Sequence, residues 1–396
     1  MNVKYHFFRS SYSSQFFVLS GIAFVSNIAY TMTSILFAIF ANNIGLDIKQ
    51  IGLIISAMTL GALISGPIWG KIVDRTGKRK LVLLLCLTGQ GVFCLLTPFM
   101  KNFLPLFLAR FFFGFFLVAQ APILNEIIIK NKDPEMRGKK LSFINIIRGV
   151  AYSFAVILSG FMIDLNPLLN FVLSGTAALA MLYPTWKLKE IDGMEPRSPE
   201  VKSSTTWILK MENLTFFFPI LLRSAAVNGL AFFIPLFWKG IGHSATFIGI
   251  VLGISNLFQL AFFPFAGRVC SSSPRVTTRI IQLGYILTIV PFLVAPFVYR
   301  GASVFIPQTV LSISWVFFSI GSTLLLGHIA PLRQRAEAMG WMESAFNLGG
   351  TIGPSAFSLV LSGTHNNFTI SFLSFSLLLV ASIFIFRWYK KRYLPV

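Results

Sequence analysis

Long apolar segments alternate with short polar ones along the whole chain. Each apolar segment has roughly 20 residues, the length that an α-helix needs to cross the hydrocarbon core of a bilayer. The polar segments between them contain the glycines, prolines and charges that are typical of turns. The pattern predicts twelve transmembrane helices, at residues 15–41, 50–70, 81–100, 103–129, 141–163, 168–187, 213–238, 246–270, 278–299, 302–327, 337–361 and 368–387.

The composition supports a membrane protein. The chain has 396 residues, of which 55% are hydrophobic and 12% are charged, whereas soluble domains have about 25% charged residues. The formal charge of +20 would also suit a nucleic-acid-binding protein, but the cations are confined to the short segments between the apolar ones. We therefore expect the lipid bilayer as a partner of this chain, and no nucleic acid.

Reactive and metal-binding motifs are absent from the sequence. The cysteines Cys86, Cys94 and Cys270 lie in or beside apolar segments and do not have the spacing of metal ligands. No nucleophile elbow, phosphate-binding loop or zinc motif occurs either. We expect no catalytic residue, no cofactor and no metal site, and hence no enzyme.

The basic residues are distributed unequally between the two sides of the predicted topology. With the amino terminus inside, 26 of the 33 Lys and Arg residues fall in cytoplasmic segments and four in external ones, and the remaining three lie within spans. Cytoplasmic loops of membrane proteins are enriched in Lys and Arg. We therefore predict a multi-pass protein of the cell (cytoplasmic) membrane with both termini in the cytoplasm.

The longest polar segment divides the chain into two groups of six spans. It contains Gly193, Pro196, Pro199 and a Ser-Ser-Thr-Thr run, which are typical of a flexible linker. We predict an amino-terminal six-helix bundle at 1–186, a cytoplasmic linker at 187–212 and a carboxy-terminal six-helix bundle at 213–396.

An internal repeat supports this division. Six residues around the second span recur 197 positions later: Ile44-Gly45 and Ile51-Gly52 as Ile241-Gly242 and Ile248-Gly249, Pro67 as Pro264, and Gly70 as Gly267. Six identities at one offset favour a duplication over chance. The two copies differ at one acid, because Asp74 corresponds to Ser271.

The loop between the second and third spans carries a specific motif. Residues 71–80 hold five Lys or Arg and the single acid Asp74. Gly70 would let two helices approach closely, and Gly77 suits a tight turn with positive φ. The pattern G-x-x-x-D-R-x-G-x-R resembles the loop at this place in the major facilitator superfamily; its residues here are Gly70, Asp74, Arg75, Gly77 and Arg79.

The resemblance implies a fold and a function. The fold is two six-helix bundles related by a pseudo-two-fold axis (a 6+6 repeat), which rock about a central site near the midplane. The function is secondary transport of a small organic molecule by a monomer. A membrane-embedded sensor, a lipid-handling protein of the same topology and a facilitated uniporter are the alternatives.

The motif also implies a cytoplasmic gate made of the five residues named above. The family's packing would bring Asp74 near the amino-terminal end of the eleventh helix, at Ala336–Gly340, when the cytoplasmic side is closed. A carboxylate is stabilised beside a helix amino terminus by about 0.3–1 kcal/mol. We predict that Asp74 favours the outward-facing state; alternatively, it only orders its own loop through Arg75 or Arg79.

Three arginines lie inside predicted spans, where a charge costs roughly 2.5–3.5 kcal/mol. Arg110 is followed by Gly114 in an R-x-x-x-G pattern that resembles a motif of the same family. In proton-coupled members of that family, an arginine at this place is assigned to substrate or proton handling. The alternative is that Arg110 extends to the outer surface. Arg223 lies close to the midplane, and Arg148 about 10 Å deep in the fifth span. We predict that Arg223 and at least one of the other two line the cavity.

Glu343 and Asn347 are four residues apart and share one face of the eleventh span. We expect Glu343 to be buried. A buried carboxylate either carries a proton, which would couple transport to protons, or forms a salt bridge with Arg223 or Arg148, and the sequence does not decide between these. The nearby Pro354 removes one N–H and frees a backbone carbonyl.

Neutral polar residues within the spans complete the candidate site. Singly, each is more often a helix–helix contact than a ligand contact. They are Asn27, Tyr30, Ser34, Gln120, Tyr152, Asn228, Asn256, Gln259, Ser314 and Trp315. The sparse, aromatic candidate cavity favours efflux of amphipathic compounds or an organic anion, and three arginines against one deep glutamate favour an anion further. Uptake of a metabolite stays open, whereas a sugar would require more Asn and Gln at depth.

Overall fold

The computed structural model describes residues 11–118, 120, 123, 134–188, 211–270, 273–298, 301–331 and 335–393. These residues form helices and no strands. The twelve main helices are α1 (Ser11–Ser34), α2 (Ile48–Thr76), α3 (Arg79–Leu96), α4 (Phe103–Leu117), α5 (Pro134–Leu165), α6 (Pro167–Ala180), α7 (Met211–Gly240), α8 (Ala245–Cys270), α9 (Pro274–Val294), α10 (Phe305–Ile329), α11 (Arg335–Gly363) and α12 (Phe368–Tyr393).

Each predicted span corresponds to one of these helices. Within the described residues, ten helices are long and apolar enough to cross a membrane. The other two are α4, a shorter apolar helix of 15 residues, and α11. The latter has 29 residues but includes acidic and glycine residues that lower its hydrophobicity. The predicted all-α membrane fold is confirmed.

The helices pack as two bundles of six. In the first half, α1 packs on α5 and α6, and α2 and α3 pack on α4. The second half repeats this arrangement, with α7 on α11 and α12, and α8 and α9 on α10. The most extensive contacts between the halves are those of α2 with α11 and of α5 with α8. Residues 189–210 lie outside the described part, so the linker boundaries stay a prediction.

The repeat found in the sequence has a structural counterpart. Gly45 and Gly242 both have positive φ, of 85° and 100°. Gly52 of α2 lies against α11, and its repeat partner Gly249 lies against α5. Each half therefore uses the same glycine of its second helix to contact the other half.

The two ends of the bundle differ in charge. The end that carries Arg75 to Lys80 and the last turn of α12, with Lys390 to Arg392, is called the basic end. The opposite end, with Asp47, Asp164 and Lys239, is called the far end. Gly77 ends α2 at the basic end with φ 66°, which confirms the tight turn predicted there.

Glycines set the closest approaches within each half. A Cβ at Gly114 of α4 would overlap the Met58 carbonyl oxygen of α2, and a Cβ at Gly61 of α2 would overlap the Phe111 carbonyl oxygen. Such contacts between small residues drive helix association in membranes, where apolar burial gains little. The R-x-x-x-G glycine therefore has a packing role.

Candidate functional site

The α2–α11 pair is closed toward the far end. The Ser355 hydroxyl lies 2.7 Å from that of Ser56. One turn further toward the basic end, the Thr59 hydroxyl donates to the Gly350 carbonyl at 3.2 Å. Pro354, inside α11, cannot donate to this carbonyl four residues earlier. The predicted freed carbonyl therefore exists, and a side chain of the other half bonds to it.

The α5–α8 pair is closed along the same half of the molecule. A Cβ at Gly160 would overlap the Ala245 carbonyl oxygen, so the backbones touch near the far end. Closer to the middle, the Asn256 amide donates to the Gly149 carbonyl at 3.0 Å and to the Ser153 hydroxyl at 2.7 Å. Both joints between the halves are thus formed from small residues and short polar side chains.

Toward the basic end these helices diverge. A Cβ at Gly70 of α2, Gly267 of α8 or Gly340 of α11 would meet no atom of the described residues within 4 Å. Residues 121–122 and 124–133 lie outside the described part of the chain, so the close approach that the sequence predicts at Gly70 stays a prediction. The halves are closed at the far end and separated at the basic end.

A cavity of about 780 Å³ lies between the halves. Its volume suits a small organic ligand, for which pockets of roughly 300–1,000 Å³ are usual. Two arginines and several amides and hydroxyls stand among apolar walls; the lining residues are Asn145, Ile146, Arg148, Gly149, Tyr152, Arg223, Val227, Leu252, Asn256, Gln259, Leu260, Phe263, Pro264, Gln308, Leu311, Ser312 and Trp315. Among the described residues, no three His, Cys, Asp or Glu side chains come together as metal ligands would.

Arg223 is the most deeply placed charge of this cavity. The Arg223 residue is only 1% exposed. Nε donates to the Thr288 hydroxyl at 3.0 Å and Nη2 to the Ser314 hydroxyl at 3.3 Å. The guanidinium lies over the Phe318 ring, 4.0 Å from its centroid. These contacts hold the group in place but are all neutral, so none of them cancels its charge.

The other two arginines of the spans differ in position. Arg148 lines the cavity and is partly exposed. Arg110 is 1% exposed and is not among the lining residues. Its Nη2 donates to the Ser34 hydroxyl at 3.0 Å, and its guanidinium lies 4.6 Å from the Phe37 centroid. Arg110 therefore does not extend to the surface; it joins α4 to α1 inside the first half.

The Glu343 residue is accessible to solvent in this structure, whereas protein atoms surround much of its carboxyl group, so its burial stays a prediction. Asn347 is half-buried. Both belong to the helical stripe of α11 that continues to Gly350, which contacts α2. The described ion pairs include none between Glu343 and Arg223 or Arg148.

The residues of the predicted gate lie at the basic end. Arg75 is exposed and Arg79 is buried. The side chain of Asp74 lies outside the described part of the chain, so its contact with α11 stays a prediction.

The neutral polar residues divide into two groups. Tyr152, Asn256, Gln259 and Trp315 line the cavity. The others make contacts within one half: Asn27 with Ala23, Ser34 with Arg110, Asn228 with Ser224, Gln120 with Ser26 and Gln90, and Ser314 with Arg223. Tyr30 packs against the main core.

Three residues of the site were not predicted from the sequence: Thr288, which bonds to Arg223, and Gln308 and Ser312, which line the cavity. A threonine or serine within an apolar span gives no signal, because such hydroxyls usually bond to their own helix. Asp164, a lone acid at a helix end that bonds to the other half, was not predicted either.

Comparisons with known proteins agree with this architecture. The family model described as Major Facilitator Superfamily matches residues 19–354. The chain is similar to the quinolone resistance protein NorA of Staphylococcus aureus, with 22% identity over 86% of this chain and 88% of that protein.

Two solved structures share the fold. A mutant form of the nucleoside transporter NupG has a TM-score of 0.83, 15% identity and coverage of 94% and 99% of the two chains. A bacterial homologue of the lysosomal transporter Spinster, inward-facing and occupied, has a TM-score of 0.80, 15% identity and coverage of 97% of both.

Proposed function

This chain belongs to the Major Facilitator Superfamily of secondary transporters, and on that premise we propose that it moves a small amphipathic organic anion by alternating access, coupled to protons. The lipid bilayer, the substrate and protons are then its partners, and we expect it to act as a monomer. The relative named for quinolone resistance supports export as the direction.

The charge of the cavity is the observation that carries the anion proposal. Among the residues that the structure describes, the lining includes Arg148 and Arg223 and no Asp or Glu. A guanidinium has five N–H donors, and Arg223 uses two of its nitrogens for neutral hydroxyls. Donors remain for a carboxylate, sulfonate or phosphate, which binds arginine through charge-assisted hydrogen bonds. The apolar walls would contact the organic body of such a substrate.

A ligand panel tests this proposal directly. Purified protein should be stabilised against thermal unfolding by organic anions with an aromatic or aliphatic body, because a ligand that binds only the folded state raises its stability. Isosteric amides and amines of the same compounds serve as controls. Stabilisation by the amines, with no response to the anions, would contradict an anion site. Flux into proteoliposomes then separates a transporter from a sensor, which would bind without flux.

Glu343 is the proposed proton carrier. It lies on the α2-facing stripe of α11, where it is exposed to the open side in this conformation and would be enclosed when the basic ends meet. Glu343→Gln should leave exchange of substrate across the membrane intact but abolish accumulation driven by a proton gradient, because glutamine cannot take up a proton. The measurement is uptake into proteoliposomes with and without a pH gradient. Gradient-driven accumulation equal to that of the unmodified protein would exclude Glu343 as the carrier.

The unequal distribution of Lys and Arg supports a cytoplasmic basic end. With this orientation the structure corresponds to an inward-facing state, and reporter fusions after Lys202 and Val396 should both report the cytoplasm. The gate residues Gly70, Asp74, Arg75, Gly77 and Arg79 would then close the cytoplasmic side in the opposite state.

A further inference from the structure

The far end of the molecule holds a charged contact between the halves that the transport proposal does not use. Asp164 ends α5 in the first half, and its carboxylate accepts four hydrogen bonds from the second half. Oδ2 accepts from the Thr246 N–H at 2.7 Å and from the Thr246 hydroxyl at 2.9 Å. Oδ1 accepts from the Ala245 N–H at 3.1 Å and from Lys239 Nζ at 3.2 Å.

The contact supplies the cap of a helix in the other half. Ala245 and Thr246 are the first two residues of α8, and the first N–H groups of a helix have no partner within it. Ser244 accepts from the third, Phe247, at 3.1 Å. Asp164 therefore provides the remaining acceptors and adds negative charge where the helix dipole is positive.

The internal repeat shows what is unusual about this cap. Asp47 occupies the position of Ser244 in the first copy, 197 residues earlier. Asp47 caps its own helix α2, with Gln50 bonding back to it in a capping box. In the second copy Ser244 accepts the same third N–H of its helix, and a carboxylate from the opposite half accepts the first two.

We propose that Asp164 is the far-end lock of this transporter, holding α5 on the start of α8 and on Lys239 while the basic end is open. The backbones of α5 and α8 touch beside it, at Gly160 and Ala245. Opening the far end requires these helix ends to separate, and all four hydrogen bonds to Asp164 then break together. The other joint, at Ser56 and Ser355, has only neutral groups to lose, two hydroxyls and one backbone N–H.

Cysteine labelling measures this lock without any knowledge of the substrate. The three native cysteines are replaced, and one cysteine is introduced at Ile248, which is 0% exposed near the far end. A second probe replaces Gln259, which lines the cavity. In lipid nanodiscs a membrane-impermeant thiol reagent reaches both ends, so the two labelling rates report far-end and basic-end opening.

Asp164→Asn and Asp164→Ala should raise labelling at position 248 and lower it at position 259. A loss of one to two kcal/mol shifts a two-state ratio by roughly five- to thirtyfold, and we expect a change in this range. Lys239→Ala should have a smaller effect of the same sign, because the Lys239 side chain is 38% exposed and ion pairs that are partly in water contribute little.

Asp47→Ala is the matched control. It removes a carboxylate cap at the same end of the molecule, but that cap lies within one half, so both labelling rates should stay unchanged. Unchanged labelling in both Asp164 variants, with folding verified by thermal unfolding, would overturn the lock. Equal changes in Asp47→Ala and Asp164→Ala would also overturn it, because they would reduce the contact to helix capping alone. Neither result bears on whether the cavity binds anions.

Discussion

Replacing Arg223 by alanine is expected to abolish transport and ligand-induced stabilisation while the protein remains inserted. Removing one partner of a buried, hydrogen-bonded charge pair costs about 2–5 kcal/mol, which corresponds to a loss of affinity of about thirtyfold or more. The partner lost here is the proposed anion, because Thr288 and Ser314 are neutral and keep other hydrogen bonds. Flux into proteoliposomes and the anion panel measure the effect.

Two further variants define the origin of that loss. Arg279→Ala removes an exposed arginine of α9 and should leave flux unchanged, which controls for total charge. Arg223→Lys keeps the charge but loses the planar fork of donors, and should retain part of the affinity. Full transport in Arg223→Ala, or the same loss in Arg279→Ala, would remove Arg223 from the binding site.

Gly114→Ala is expected to destabilise the first half severely. Its new methyl group would overlap the Met58 carbonyl oxygen and lie 2.7 Å from the carbonyl carbon. Overpacking costs about 1–3 kcal/mol where side chains can adjust, and more is expected here because the obstacle is backbone. Separation of α2 from α4 would also displace Arg110, one turn away, from Ser34. Thermal unfolding and the yield of monodisperse protein report the effect.

Gly327→Ala provides the comparison. A Cβ at Gly327 of α10 would meet no atom of the described part of the chain within 4 Å, and alanine is more favourable than glycine in a helix by about 0.5–1 kcal/mol. This variant should be as stable as the unmodified protein or slightly more stable. Equal stability of Gly114→Ala would show that α2 and α4 can separate at no cost, contrary to the packing described above.

The sequence predicted the fold because the membrane makes hydrophobicity decisive. A span in lipid must satisfy its own backbone hydrogen bonds, so a long apolar segment has one structural outcome. The internal repeat was recognisable in the sequence because contacts between the halves require glycine at equivalent positions. Gly52 and Gly249 both lie where the halves touch, and only glycine fits such an approach.

The site was predictable only in part. Arg148 and Arg223 stood out because a charge within a span is rare, and both line the cavity. Arg110 is also a charge within a span, but it joins α4 to α1. The position of a residue along a span does not specify whether it lies on the face of the helix that lines the cavity. The burial of Glu343 depends on the conformation of the transporter, and a pattern of residues does not specify which of two conformations a structure represents.

The uncompensated charge of Arg223 has an electrical consequence. The Arg223 side chain is buried at the cavity between the halves, and its described partners are neutral. Moving one elementary charge through a membrane potential of 100 mV changes its energy by about 2.3 kcal/mol. The empty carrier would thus reorient at a rate that depends on voltage. A bound monoanion would cancel the charge of Arg223 but leave that of Arg148, so the loaded step should depend on voltage less strongly.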